Sequence, residues 1–150
     1  MGEGEHTVSG GCHCHNISVT MQLSHPLEHY KPRACDCDFC VRHGAAYVSD
    51  AEGSLSMHIR DERAVGRYMQ GDQLAEFILC RNCGVLIGAT YRSDGRLYAA
   101  VNANIMGAPS GFGETRVASP KQLSAEEKTK RWRSLWFPQV VISDNGAKTQ

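Results

Sequence analysis

Seven cysteines in three tight clusters carry whatever chemistry this chain performs: Cys12 and Cys14, then Cys35, Cys37 and Cys40, then Cys80 and Cys83. An odd number of thiols cannot pair completely as disulfides. Residues Met1 to Gly11 have neither the basic start nor the apolar stretch of a signal peptide, so a reducing, cytoplasmic compartment is expected. The two cysteines of a C-x-C also bridge poorly to each other, because a disulfide wants Cα atoms about 5.5–6 Å apart with matched Cβ vectors. The same spacing suits a small tetrahedral cation. Two thiolates from one tight turn chelate it together, and the other ligands come from elsewhere in the chain. The expectation is two zinc ions per chain, one in a closed site and one in an open site.

The closed site is expected from Cys12, Cys14, Cys80 and Cys83. Cys80-x-x-Cys83-Gly84 falls between two apolar segments and so at a hairpin tip, where two sulfurs converge on one point. Gly84 can take the left-handed backbone conformation that turns nearby N–H groups toward the sulfurs. A redox C-x-x-C would want a βαβ setting with a helix after its first cysteine, and the setting here is a hairpin. His13 and His15 interleave with the first pair. In an extended C-x-C they point the opposite way and are expected outside the ligand set.

The open site is expected from Cys35, Cys37 and Cys40, three thiols within six residues, read as a compact loop. Three sulfurs cover one face of an ion and leave a fourth position for water or an incoming ligand, as catalytic zinc does. His43, Asp36 or Asp38 could close that position instead. The two aspartates otherwise read as turn residues bonded to their own backbone, and Arg42 and His43 as charges that offset the thiolates. A zinc with soft ligands prefers a soft incoming group such as a substrate thiol, whose pKa it lowers. A bound thiolate can add to a small aldehyde, and the reverse reaction cleaves the carbon–sulfur bond. His43 is the candidate for the proton transfer, since an unperturbed imidazole titrates near 6.5. A histidine beside a metal loop also serves as a hydrogen-bond partner of the ligands.

These clusters must be positioned by a mainly β chain. Ile17, Val19 and Met21 alternate with Ser18 and Thr20, which predicts a half-buried strand over Asn16–Gln22. Ala45–Ser49 and Leu55–Ile59 read as short strands around a turn at Asp50–Gly53, and Arg67–Gln70 as another. Leu74–Cys80 and Val85–Tyr91 form the strongest strand pair, and Ser93-Asp94-Gly95 turns the chain into Leu97–Asn102. Ala108–Pro120 reads as a loop. The one helix expected spans Ser124–Trp136, with Ser124 and Glu127 as a capping box and Pro138 beyond its end. The tail 144–150 is expected to be flexible.

At 150 residues, 41% hydrophobic and 21% charged, the chain reads as a single domain able to bury its own core. No apolar run approaches the roughly 20 residues that span a bilayer, so no membrane partner is expected. Sixteen basic residues balance sixteen acidic ones, which leaves no net field to attract nucleic acid.

Gly10-Gly11-Cys12-His13-Cys14, Cys35-Asp36-Cys37-Asp38-Phe39-Cys40 and Cys80-Arg81-Asn82-Cys83-Gly84, in this order, resemble the glutathione-dependent formaldehyde-activating enzyme family, which includes centromere protein V. The resemblance covers roughly residues 8 to 106. It implies a β-tent fold of small antiparallel sheets around two zinc sites. It also implies structural ligands Cys12, Cys14, Cys80 and Cys83, and a reactive zinc on Cys35, Cys37 and Cys40. The implied reaction joins glutathione and formaldehyde into S-hydroxymethylglutathione, a carbon–sulfur lyase run in reverse. Family members commonly carry Gly after the first C-x-C, where this chain has His15. The alternative is a zinc-stabilised binding module without turnover, with Trp132, Trp136 and Phe137 as its contact surface.

Overall fold

The computed structural model describes residues 6–70, 73–107, 111–119, 122–144 and 148–149. In chain order the first strands are β1 (Thr7–Gly11), β2 (Ile17–Gln22) and β3 (Arg33–Cys35), followed by helix α1 (Asp38–His43), β4 (Ala46–Val48), β5 (Ser54–Ile59) and β6 (Val65–Tyr68). Then come β7 (Glu76–Cys80), β8 (Leu86–Ser93), β9 (Arg96–Asn102), β10 (Arg116–Ala118), helix α2 (Ala125–Leu135), β11 (Gln139–Asp144) and β12 (Lys148–Thr149). They form a five-stranded sheet in the order β1-β2-β5-β11-β12 and a seven-stranded sheet in the order β10-β3-β4-β9-β8-β7-β6. The chain is mainly β, as expected, with one long helix near its end.

The main core lies between the sheets. Ile17, Val19 and Met21 of β2 and Leu55, Met57 and Ile59 of β5 pack with Ile78, Ile87, Leu97, Ala99 and Val101 of the larger sheet. The β2 alternation places those three apolar residues inside and leaves Ser18 and Gln22 exposed. The larger sheet is covered on its other face too, where Leu86, Ala89 and Ala100 meet Trp136, Trp132 and Leu135. Strand β9 therefore alternates between two cores, Leu97, Ala99 and Val101 on one face and Tyr98 and Ala100 on the other. In β8 the register shifts opposite Ile78 and Leu79, which pair with Gly88 and Leu86. Ile87 is the extra residue of this bulge. It turns into the main core and lets Leu86 and Ala89 share the helix-covered face.

Helix α2 forms where the capping box predicted it. The Ser124 hydroxyl accepts from the Glu127 N–H at 3.1 Å and the Glu127 carboxylate accepts from the Ser124 N–H at 2.8 Å. Beyond it Phe137, fully buried at 0% exposure, is pinned to β9 by a pair of backbone bonds with Ala99. Ser124–Leu135 is thereby held flat on the larger sheet, and β11 continues into the smaller sheet, parallel to β5.

Several expectations change. The Asp50–Gly53 turn exists, with the Gly53 N–H on the Asp50 carbonyl at 3.1 Å, but β4 and β5 belong to different sheets. The turn is held from below by Asp50, whose carboxylate takes bonds from Ser24 and from the Tyr30 hydroxyl. Within the stretch read as a loop over 108–120, Arg116–Ala118 pairs parallel with β3; residues 108–110 and 120 lie outside the described residues. The middle cysteine loop is a helix, α1. Of the tail 144–150, Asp144 closes β11 and Lys148–Thr149 pair with Ser143 and Ile142, the remainder lying outside the described residues. Among the described residues no helix is long and apolar enough to cross a membrane.

Candidate active site

Both outer cysteine pairs stand at hairpin tips. Cys12 and Cys14 sit in the turn between β1 and β2, where the Cys12 N–H bonds the Ile17 carbonyl at 2.9 Å. Cys80 and Cys83 sit in the turn between β7 and β8, closed by the Gly84 N–H on the Cys80 carbonyl at 2.8 Å. Gly84 has φ 83° and fills the left-handed position expected of it. The two tips meet: Cys12 and Cys14 sulfurs are 3.8 Å apart, Cys14 and Cys80 sulfurs 3.5 Å, and all four lie within 4.8 Å of one another. A tetrahedral ion with metal–sulfur bonds of about 2.3 Å sets its sulfurs about 3.8 Å apart, so the group fits such an ion.

Backbone N–H groups point at these sulfurs, Ile17 at Cys12 (3.3 Å) and Cys83 at Cys80 (3.4 Å). The Asn82 side chain and the Asn16 N–H bring the Cys14 thiol down to about 6, while burial pushes Cys80 up to about 11. Burial also acts against Cys83, but the N–H groups of Cys14 and Val85 more than offset it and its thiol falls below the usual range. A site that favours some thiolates and strands others is relieved by a cation. His13 and His15 are exposed and outside the group. They are so for a different reason than a strand would give: the segment is a turn, with His15 at φ 67°. That is the left-handed region in which glycine is the unstrained residue.

The middle cluster is assembled by one strand end and one short helix. Cys35 ends β3, Cys37 is the N-cap of α1, and Cys40 lies in its first turn at 1% exposure. The Cys37 sulfur accepts from the Cys40 N–H at 3.4 Å, in the role a serine or aspartate oxygen usually takes. Arg42 and His43 occupy the last turn and Gly44, at φ 63°, ends it. The three sulfurs lie within 4.8 Å of one another and form the second group able to hold a metal ion. A hydrogen bond from the Cys40 side chain lowers the Cys35 thiol to about 6. The same bond, with burial, pushes Cys40 well up. Cys35 and Cys40 titrate as a pair, one favoured as thiolate and the other as thiol, as groups in contact do.

Other residues that could have closed this cluster are elsewhere. Asp36 accepts from the Ser119 hydroxyl at 2.5 Å and ties β3 to the segment after β10. Asp38 is exposed, and its carbonyl accepts from Arg42 at 3.0 Å. His43 is exposed, with its ring 4.8 Å from that of Phe39.

Side chains that sequence spacing did not single out complete the site. The Tyr47 hydroxyl is 3.1 Å from the Cys40 sulfur, and the Gln70 amide donates to the Cys37 sulfur at 3.4 Å. Cys35, Cys40 and Tyr47 line a cavity of about 100 Å³. Its remaining wall includes Trp132 and Trp136, stacked with centroids 4.9 Å apart. The space exists because β8 and β9 present only Ala89 and Ala100 there. Arg33 and Arg131 also line it. Arg33 donates to the Ser49 hydroxyl at 2.8 Å, which donates in turn to the Leu135 carbonyl at 2.8 Å, so β3 and the end of α2 are locked together. Burial, and then the neighbouring Arg131 charge, bring the Arg33 guanidinium down to about 10. The one signal for Arg33 in the sequence was its place two residues before Cys35, on the same face of a strand.

Residues 7–119 match the family model described as glutathione-dependent formaldehyde-activating enzyme. A solved Rhodobacter sphaeroides protein is similar in structure, with a TM-score of 0.53 and 26% identity over 72% of this chain and 99% of that one. Among curated proteins none matches this chain. The family match takes in all three cysteine clusters, β1 through β10, and stops before α2. The protein therefore belongs to the glutathione-dependent formaldehyde-activating enzyme family.

Proposed function

We propose that this protein is a zinc-dependent carbon–sulfur lyase-like enzyme that joins a glutathione-like thiol to a small aldehyde and cleaves the adduct in reverse. The observation that carries the reading is that Cys35 and Cys40, two of the three clustered cysteines, line a cavity. In this reading Cys12, Cys14, Cys80 and Cys83 hold a structural zinc, and Cys35, Cys37 and Cys40 a reactive one. Zinc bound there supplies a Lewis acid beside which a substrate thiol ionises at neutral pH. In the forward direction the thiolate sulfur attacks the carbonyl carbon, and the carbon–oxygen π pair moves to oxygen. The alkoxide then takes up a proton, so the proton lost by the thiol is regained by the new hydroxyl.

The chain's own residues position and shield this exchange. With Cys40 ionised, the Tyr47 hydroxyl is the donor of their 3.1 Å contact, and Gln70 donates to Cys37; both withdraw charge from the sulfurs and fix their directions. Trp132 and Trp136 give the cavity an apolar wall. The proton transfer expected of His43 is assigned to solvent at the cavity mouth, because the exposed His43 ring rests on Phe39 outside the lining. Seven reduced thiols belong in a reducing compartment, so the enzyme is read as cytoplasmic.

The binding-module alternative loses its surface: Phe137 is 0% and Trp136 8% exposed. Exchange spectroscopy by NMR tests the enzyme reading, following formaldehyde between its free form and its glutathione adduct. The zinc-loaded chain is expected to speed the exchange well above the uncatalysed rate. No acceleration at saturating zinc sinks the proposal. In the same assay His43→Gln is expected to cost less than about threefold, against the 10²-fold or more lost with a general acid or base acting in the cavity.

A further inference from the structure

The cavity beside the middle cysteines has a cationic wall that the sulfur chemistry does not use. Arg33 is half-buried and Arg131, on α2, is exposed at the rim; both line the cavity. Arg63 pairs with Asp61 and Arg67 with Glu62 and Glu76, whereas among the described residues no such pair involves Arg33 or Arg131. Two guanidinium groups on the wall of one cavity, neither paired with a carboxylate among the described residues, are a ready seat for an incoming carboxylate, which each can bind through its planar fork.

Placement sets the size of what binds. Arg33 and Cys35 are i and i+2 on β3, so their side chains leave the same face about 7 Å apart along the strand. The cavity volume of about 100 Å³ is smaller than the roughly 150 Å³ cavity that accommodates benzene. It encloses a chain of about five or six heavy atoms, and a larger thiol such as a tripeptide extends past the rim at Arg131. Trp132 and Trp136, the only two tryptophans of the chain, supply an apolar wall for methylene groups.

We propose that Arg33 and Arg131 bind the carboxylate of a short mercapto acid whose sulfur meets Cys35, Cys37 and Cys40, which makes α2 the specificity element of the site. This rests on the reading of the middle cluster as a thiol-binding zinc site. It goes beyond that reading in naming a carboxylate a few carbons from the sulfur, held by a helix outside the family match.

The test is saturable quenching of the tryptophan fluorescence of the zinc-loaded chain. Four probes are used: 3-mercaptopropionate, propane-1-thiol, propionate and glutathione. A charge-assisted bond contributes about 1.5–3 kcal/mol, so 3-mercaptopropionate is expected to bind at least about tenfold more tightly than propane-1-thiol. It should also bind more tightly than glutathione, whose carboxylates lie farther from the sulfur. Arg131→Met, at an exposed position where folding is not at stake, should erase most of the tenfold. Arg133→Met removes the same charge from the same helix outside the cavity lining and should leave it intact. Equal binding of the two short thiols, an unchanged preference in Arg131→Met, or tighter binding of glutathione overturns the proposal while leaving the zinc–thiol reading in place. Arg131-dependent binding of propionate that 3-mercaptopropionate does not improve has the opposite meaning: the carboxylate seat stands and the thiol site falls.

Discussion

Cys80→Ser is expected to abolish cooperative folding of the chain, not merely to weaken one corner of it. Cys80 is 1% exposed at the end of β7, and its sulfur is 3.5 Å from that of Cys14 on the opposite sheet. The four-cysteine group joins the tips of the β1–β2 and β7–β8 hairpins, and thus the two layers that enclose the main core. A structural zinc contributes on the order of 10 kcal/mol to folding, and a domain's whole stability is about 5–15 kcal/mol. Serine is isosteric with cysteine, so the change isolates the metal bond from packing. The expected result is loss of the thermal transition together with loss of zinc, and the same outcome on chelation of the parent chain. A variant that melts cooperatively within a few degrees of the parent would show that these thiols hold no structural ion.

Cys37→Ser is expected to have the opposite profile, intact folding with the chemistry gone. Cys37 caps α1 by accepting from the Cys40 N–H, and serine is among the best residues for that position. The helix keeps its cap while the middle cluster loses one of three thiolates. Partners that only hydrogen-bond to metal ligands are worth 10–100-fold in affinity or activity, so removing a ligand should cost at least about 10²-fold in catalysed exchange. Zinc content should fall from two ions per chain to one, with the melting temperature shifted by only a few degrees. Unfolding as severe as that of Cys80→Ser would make the middle cluster structural. Full activity with one zinc would separate the reaction from this cluster altogether.

The contrast between these variants follows from where the two groups sit. One bridges two hairpins that are distant in sequence and lies against the main core. The other is almost wholly local, within Cys35–Cys40, and lies on the face of the larger sheet that α2 covers. A site closed by long-range partners constrains the fold; a site made by six consecutive residues leaves its outer side to whatever packs there. Here that is the aromatic and arginine face of α2.

Much of this was legible in residue types and spacing. C-x-C and C-x-x-C spacing brought Cys12, Cys14, Cys80 and Cys83 together because chelation by close pairs is local geometry. Gly84 announced its left-handed turn, the β2 alternation its buried face, and Ser124 with Glu127 the start of α2, since each depends on residues within one turn or strand. Helix α1 was equally local, with Asp38 in its first turn, Arg42 and His43 in its last and Gly44 beyond, although at six residues it is too short to show an apolar period.

What only the tertiary structure decided is which side chains surround the middle cysteines. Strands β10 and β11 find parallel partners in β3 and β5, far back along the chain, and no local period marks such pairing. The same long-range packing lays Trp132, Trp136 and Arg131 over Ala89 and Ala100, beside Arg33, Tyr47 and Cys40. The chain's own order of cysteines determined that two groups able to hold a metal ion exist and which residues form each. The cavity that Cys35 and Cys40 line arises from contact between segments some ninety residues apart, Cys40 and Trp132 among them. Such contact is set by shape and burial over the whole fold, and no local pattern records it.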